Sequence, residues 1–463
     1  MTPPPAQVDR TAMLALGRRL AATGADEAAK SAYLAALRLD PTCAEALVAI
    51  ARLACRGGHR SAARTALAHC IACHPSDAAA RLSLGRLLLE SGEHDLARAQ
   101  FAAALAIQPG LAGAHQGLAR ALTGLGDTDA AAPHWRQAFG ASALSPQPYH
   151  GAEPGVPVLL LVSAKGGNIP TRTLLDDTVF QVTALYADFH QPGAPLPPHA
   201  LVFNAIGDAD LCEEALTGAA AVARRSTAPI VNHPDSVAIT GRAANAARLA
   251  SLTDVVAPAV RSMSRAELLA GAGALRFPLL VRAPGHHTGQ HFVRVARRAD
   301  LATGIAPLPG ERLLAIDPMD ARGPDGLSRK FRVMFIGGEL YPLHLAISHD
   351  WKVHYFSGAM AEDPAYRAEE AAFLADMAGT LGSRAMAALA ALRDALGLDY
   401  AGVDFALAPD GRLLLFEANA GMVIQPPSPD PMWDYRRAPI DRALAAVKAM
   451  LLERAASGVR AVA

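Results

Sequence analysis

The chain has 463 residues, 51% of them apolar, with 43 Lys and Arg balancing 43 Asp and Glu. That length suits two or three domains, and balanced charge gives no global field for nucleic acid or an anionic membrane. No apolar run reaches the roughly 18–20 residues needed to cross a bilayer. Met1-Thr2-Pro3-Pro4-Pro5 lacks a basic region followed by an apolar core, so no secretory signal is expected. Five scattered cysteines (43, 55, 70, 73 and 212) fit a reducing cytoplasm.

The first third is periodic. Glycine recurs at 24, 58, 92 and 126 and proline at 41, 75 and 109, each in steps of 34. Gly17, Ala51, Gly85 and Ala119 form a small-residue column; Tyr33, Leu67, Phe101 and Trp135 form a large one. The pattern resembles tetratricopeptide repeats (TPR), with four helix–turn–helix units from about residue 9 across 1–144. Each unit has amphipathic helices that bury both faces only by stacking on neighbours, which predicts an all-α superhelix. Such a groove implies a peptide, protein or carrier partner, with self-association into a homodimer as the alternative. Cys70-Ile71-Ala72-Cys73, beside His69 and His74, lies inside this repeat and is read as packing rather than a metal site.

Ser145–Pro157, rich in proline and glycine, reads as a linker over 145–157. Val156–Ser163, Leu201–Asn204 and Pro229–Asn232 then read as buried strands with helical stretches between them. They predict a small parallel α/β domain over 158–250. Ligands gather at the carboxyl ends of such strands, which makes the loops 164–173, 205–210 and 232–240 candidates for a substrate pocket. Asn168 and Asn232 are the polar side chains named there. Asn232-His233-Pro234 with Thr240-Gly241-Arg242 equally suits ordinary punctuation at a helix start.

Phe277–Arg282 is a strand ending in a cation, followed by a glycine loop with Gly285 and Gly289 and a return through His291–Val295. Such loops can lay backbone N–H groups on phosphates. Arg312–Ile316 leads into Asp317-Pro318. In Lys330–Ile336, alternation puts Lys330 and Arg332 on one face and Phe331, Val333 and Phe335 on the other. Two adjacent cations call for an anion between them. Tyr341–Met360, with His344, His349, Trp351, His354 and Tyr355, is read either as part of an acceptor pocket or as sheet packing.

Ala401–Leu407 and Leu413–Asn419 form a hairpin about Pro409-Asp410-Gly411. A two-residue turn sets Asp404 opposite Glu417 and Phe405 opposite Phe416, with Asn419 beside Glu417; a type I turn with a bulge shifts the pairing by one. Like charges facing across strands are destabilising, and a hard divalent ion such as Mg²⁺ relieves that cost through oxygen ligands.

The order of these features resembles the ATP-grasp superfamily over roughly residues 156–455. That superfamily includes D-alanine–D-alanine ligase, glutathione synthetase and glutamate ligases that modify peptides or proteins. The resemblance implies a two-lobed α+β nucleotide-binding domain over 251–455. Asp404, Glu417 and Asn419 would then hold Mg²⁺, and Arg282, Lys330 and Arg332 the ATP phosphates. Gly285 and Gly289 would form the lid, and Ile316–Asp317 would lie near the adenine hinge. Asn168, Asn232, His344, His354 and Gly421 are the positions expected around the substrates. The chain departs from the family with Arg282 for the usual lysine, Asp317 for the usual glutamate, and Ala420-Gly421-Met422 for Pro-Gly. The implied activity is ATP-dependent joining of a carboxylate to an amine through an acylphosphate. The alternatives are a kinase of the same fold and a scaffold with a non-catalytic nucleotide fold.

Overall fold

The computed structural model describes residues 9–140, 142–271, 275–285, 289–353 and 359–462. It divides into two compact units, Met1–Ala143 and Leu144–Ala463. The first is a run of eight consecutive helices, from Arg10–Ala22 to Thr128–Phe139, compatible with the repeat read from sequence. Gly24, Gly58, Gly92 and Gly126 each turn the chain inside a hairpin at φ 74°, 78°, 76° and 84°, a region that favours glycine. The small and large columns meet: a Cβ on Gly17 would lie 2.7 Å from the Tyr33 ring, and one on Gly85 2.7 Å from Phe101. Cys70 is fully buried and burial pushes its thiol up to about 11, in keeping with packing.

The second unit holds three sheets. Their strands are β1 (Leu144–Pro146), β2 (Val156–Val162), β3 (Phe180–Tyr186), β4 (Leu201–Asn204), β5 (Ile230–Val231), β6 (Val255–Val256), β7 (Val260–Ser264), β8 (Leu279–Arg282), β9 (Phe292–Val295), β10 (Arg312–Ile316), β11 (Ser328–Ile336), β12 (Glu339–Ser348), β13 (Tyr400–Leu407) and β14 (Leu413–Asn419). The first sheet runs β1-β3-β2-β4-β5, parallel except for β1. The second, β7-β10-β8-β9, is antiparallel. The third runs β12-β11-β13-β14-β6, antiparallel except where β6 joins β14.

Two details differ from the sequence reading. Leu144–Pro146 overlaps the expected linker yet forms edge strand β1, antiparallel to β3. β3 itself stands between the expected strands, so the chain from β2 to β4 is not a helical crossover. The parallel sheet is buried on both faces, as central parallel strands require. Leu159 and Leu161 pack on one side near Ala215, Leu216 and Ala219 of helix Glu213–Ala223. Val158 and Leu160 pack on the other with Val447 and Leu451 of the last helix, Arg437–Val462. Met334 and Tyr400 of the third sheet share that second cluster, so the parallel portion expected at 158–250 has a common core with the third sheet, whereas the second sheet has its own cluster about Leu268, Leu279 and Leu313.

Candidate functional site

Alternation on β11 builds the base of the site. Phe331, Val333 and Phe335 are buried, and Phe331 packs on Phe405 and Phe373 at ring centroids of 5.4 and 5.1 Å. Lys330 and Arg332 therefore project from the opposite face. Cross-strand pairing sets Arg332 beside both His344 and Asp404, and Asp404 beside Glu417. One polar row thus crosses β12, β11, β13 and β14.

The hairpin reaches this register by two compensating irregularities. Its loop is Pro409-Asp410-Gly411, closed by Gly411 N–H on Ala408 O and Ala408 N–H on Arg412 O, with Gly411 at φ 80°. That three-residue loop pairs Leu407 with Leu413, one step away from the register that joins Asp404 to Glu417. A bulge at Phe416 restores the pairing, so Phe405 lies opposite Leu415 rather than Phe416. Without it, Phe416 would face Asp404 and Glu417 would turn toward the core.

The anion between the two β11 cations is Asp404. Its carboxylate accepts from Lys330 Nζ at 3.0 Å and from Arg332 Nε and Nη2 at 2.6 and 2.8 Å. Burial alone would raise this carboxyl, but Arg332 and Lys330 outweigh burial and hold it far below the ordinary range. Glu417 Oε1 accepts from Arg242 Nη2 at 2.6 Å and from Asn419 Nδ2 at 2.5 Å. Burial opposes its ionisation too; Arg242 and Arg282 overcome it and lower its pKa. Gly421 N–H donates to Asn419 Oδ1 at 2.8 Å. Arg282, buried at the end of β8, lies 5.8 Å from the centre of the Phe292 ring. Burial and then Arg242 bring its pKa down to about 10.

These groups line one cleft of about 1300 Å³ between the second and third sheets and the loops of the first. Among the expected positions, Arg282, Gly289, Ile316, Asp317, Lys330 and Arg332 line it, as do Asp404, Glu417 and Asn419. Asp317 is fixed by its own sheet: its carboxylate accepts from Arg261 Nη2 of β7 at 2.5 Å and its N–H donates to Ala259 O at 3.0 Å. Gly285, at φ 73°, precedes residues 286–288, which lie outside the described residues.

The expected substrate positions divide. Asn168, His344 and Gly421 reach the cleft. Asn168 is engaged with Ser163, accepting from its N–H at 2.8 Å and donating to its carbonyl at 2.7 Å. His344 is held neutral, well below its ordinary pKa, by burial and by Arg332. Asn232 does not line the cleft: it is fully buried, donates to Tyr400 O at 2.7 Å and accepts from Tyr400 N–H at 2.9 Å, fastening β5 to β13. This corrects the substrate reading of Asn232 to a structural one. His354 lies outside the described residues.

Arg242 and Asp210 are additional cleft residues. Arg242 opens helix Arg242–Leu249; its N–H donates to Asp210 Oδ2 at 2.9 Å while its guanidinium holds Glu417. Thr240-Gly241-Arg242 was visible as a motif, but its partner lies 175 residues further along the chain. Gly207 and Gly421 let two loops meet backbone to backbone, since a Cβ on Gly207 would stand 2.8 Å from Gly421 Cα. Among the described residues, no group of three or more His, Cys, Asp or Glu is arranged to hold a metal. The hairpin instead offers two carboxylates and an amide.

No family model matches the chain, and no curated protein matches it. Similar solved structures include two of MamA, a TPR-repeat protein, each 28% identical with a TM-score of 0.27. They cover 28% of this chain and 72% and 76% of theirs. MamA residues 41 to the end from Desulfovibrio magneticus RS-1 is 22% identical over 28% of this chain and 73% of that one, with a TM-score of 0.26. No helix among the described residues is long and apolar enough to cross a membrane.

Proposed function

We propose that the second unit is an ATP-grasp ligase that joins a carboxylate to an amine at the expense of ATP. The observation that carries this reading is the convergence of Asp404, Glu417 and Asn419 with Arg242, Arg282, Lys330 and Arg332 on a single cleft. The donor chemistry fits a hard divalent ion: carboxylate oxygens from Asp404 and Glu417 and an amide oxygen from Asn419. The mixture of charge matters as much. A bare anion meets two carboxylates and a bare metal ion meets four cations, whereas a metal–triphosphate complex satisfies both sets.

A carboxylate is a poor acyl donor because oxide would have to leave. Transfer of the γ-phosphoryl group to a carboxylate oxygen gives an acylphosphate and ADP. Attack of the amine on the acyl carbon then forms the C–N bond and expels phosphate. Mg²⁺ held by Asp404, Glu417 and Asn419 would supply charge neutralisation on the triphosphate. Arg282, Lys330 and Arg332 would bind the phosphates and offset charge developing in transfer. The glycine loop beginning at Gly285 would exclude water from the acylphosphate. Neutral His344, in the same polar row, would face the acceptor side without adding a proton-dependent charge.

The helical unit would dock a peptide, protein or carrier; its supporting observation is four stacked hairpins on a 34-residue step. The enzymatic reading is tested by incubating the full chain with Mg²⁺, ATP and a panel of carboxylate–amine pairs, short peptides included. ADP release with an amide product is expected. A stable phosphorylated species without amide would select a kinase, and no ADP with any pair would reject the ligase.

A further inference from the structure

Lys330, Arg332 and Arg242 already occupy the carboxylates that the nucleotide-binding reading assigns to a metal. Asp404 is the tighter case: side-chain exposure is 5%, and both of its oxygens accept from chain cations. Arg332 is anchored by two hydrogen bonds, Lys330 by one, on a flexible stem with a compact ammonium. Lys330 is therefore the cation that can leave Asp404 while Arg332 keeps it oriented. Leaving has a condition. Its side chain is only 14% exposed, so an ammonium released there needs another anion.

We propose that Lys330 is a toggle that bars divalent metal from Asp404 until a triphosphate draws its ammonium away, so that metal and nucleotide load as one unit. This rests on the nucleotide-binding reading above. With metal alone, the ion must compete with the ammonium for Oδ2, and the displaced ammonium gains no partner. With triphosphate alone, Lys330 can turn toward phosphate only by giving up Asp404. When both arrive, the ion replaces the ammonium on Asp404 and the phosphate replaces Asp404 on the ammonium. Only in the empty and the doubly loaded states does Asp404 keep two cationic partners while Lys330 keeps an anion.

The test is Mn²⁺ binding to the full chain, followed by electron paramagnetic resonance, with and without a non-hydrolysable ATP analogue. The toggle predicts that the analogue tightens Mn²⁺ binding about tenfold or more, and that Mn²⁺ tightens analogue binding by the same factor. Lys330→Met should raise Mn²⁺ affinity in the absence of nucleotide about tenfold and abolish most of that coupling. Lys352→Met removes another cleft cation, one that donates to Gly289 O at 2.5 Å rather than to Asp404, and should leave the coupling intact. Lys330→Gln provides a second toggle variant, and thermal melts check that each variant is folded. Equal Mn²⁺ affinity with and without analogue in the native chain overturns the toggle while leaving nucleotide binding standing. Equal loss of coupling in the Lys330 and Lys352 variants also overturns it, since general charge would then be the cause. Failure of the native chain to bind the analogue at all overturns the nucleotide reading, and the toggle with it.

Discussion

Asp404 and its two cations set what a substitution on this face does. Asp404→Asn removes a buried carboxylate charge between two half-buried cations, and breaking such a cluster from one side costs roughly 3 kcal/mol, the low end for a buried pair. Urea denaturation of the second unit should record a loss of that order, larger than for Asp320→Asn at an exposed pair with Arg322. His344 makes a separate prediction. Its pKa is depressed by burial and Arg332, so between pH 7 and 5 the unfolded chain takes up a proton that the folded chain refuses. Stability should fall as pH drops through about 6.5, the value of an unfolded histidine, and His344→Gln should flatten that fall. An unchanged pH profile in the variant would contradict the assignment. The faces of Lys330, Arg332 and Phe331 were legible because period-2 alternation assigns faces from sequence alone. The identity of their anion was not, because Asp404 lies more than seventy residues away and proximity in the fold leaves no local trace.

At the scale of the elements, the β13–β14 hairpin joins a turn offset to a bulge that cancels it. The sequence shows Pro409-Asp410-Gly411 as a turn, and both loop lengths were open readings. The bulge at Phe416 carries no Gly or Pro signal, so the final register could not be decided without the neighbouring strands. Gly411 sits at φ 80°, and Gly411→Ala should cost about 1 kcal/mol by forcing a Cβ into that region. Its effect should appear in denaturant midpoint with little change in slope. In the helical unit, Gly85→Leu would drive a side chain into Phe101, whose ring stands 2.7 Å from the position of a Cβ. A helical content unchanged at raised temperature in that variant would argue against the small–large column.

At the scale of the whole molecule, the 34-residue step was legible because repetition amplifies a weak local signal. The shared core of the second unit was not. Helix Arg437–Val462 closes the parallel sheet and belongs to one cluster with Met334 and Tyr400 of the third sheet, a linkage between segments nearly 300 residues apart in sequence. Removing residues 437–463 should therefore unfold the first and third sheets together, leaving the helical content of residues 1–143 visible by circular dichroism. A truncated chain that still bound nucleotide would contradict the shared core.

Asp404, Glu417 and Asn419 are proposed as the metal end of a nucleotide clamp. Calorimetric titration of the full chain with a non-hydrolysable ATP analogue in Mg²⁺ tests it most directly, comparing the native chain with a folded Glu417→Ala variant. One analogue per chain should bind the native protein, with at least roughly a tenfold loss in the variant, about 1.4 kcal/mol. Undiminished binding by Glu417→Ala, or no binding by the native chain, would contradict it.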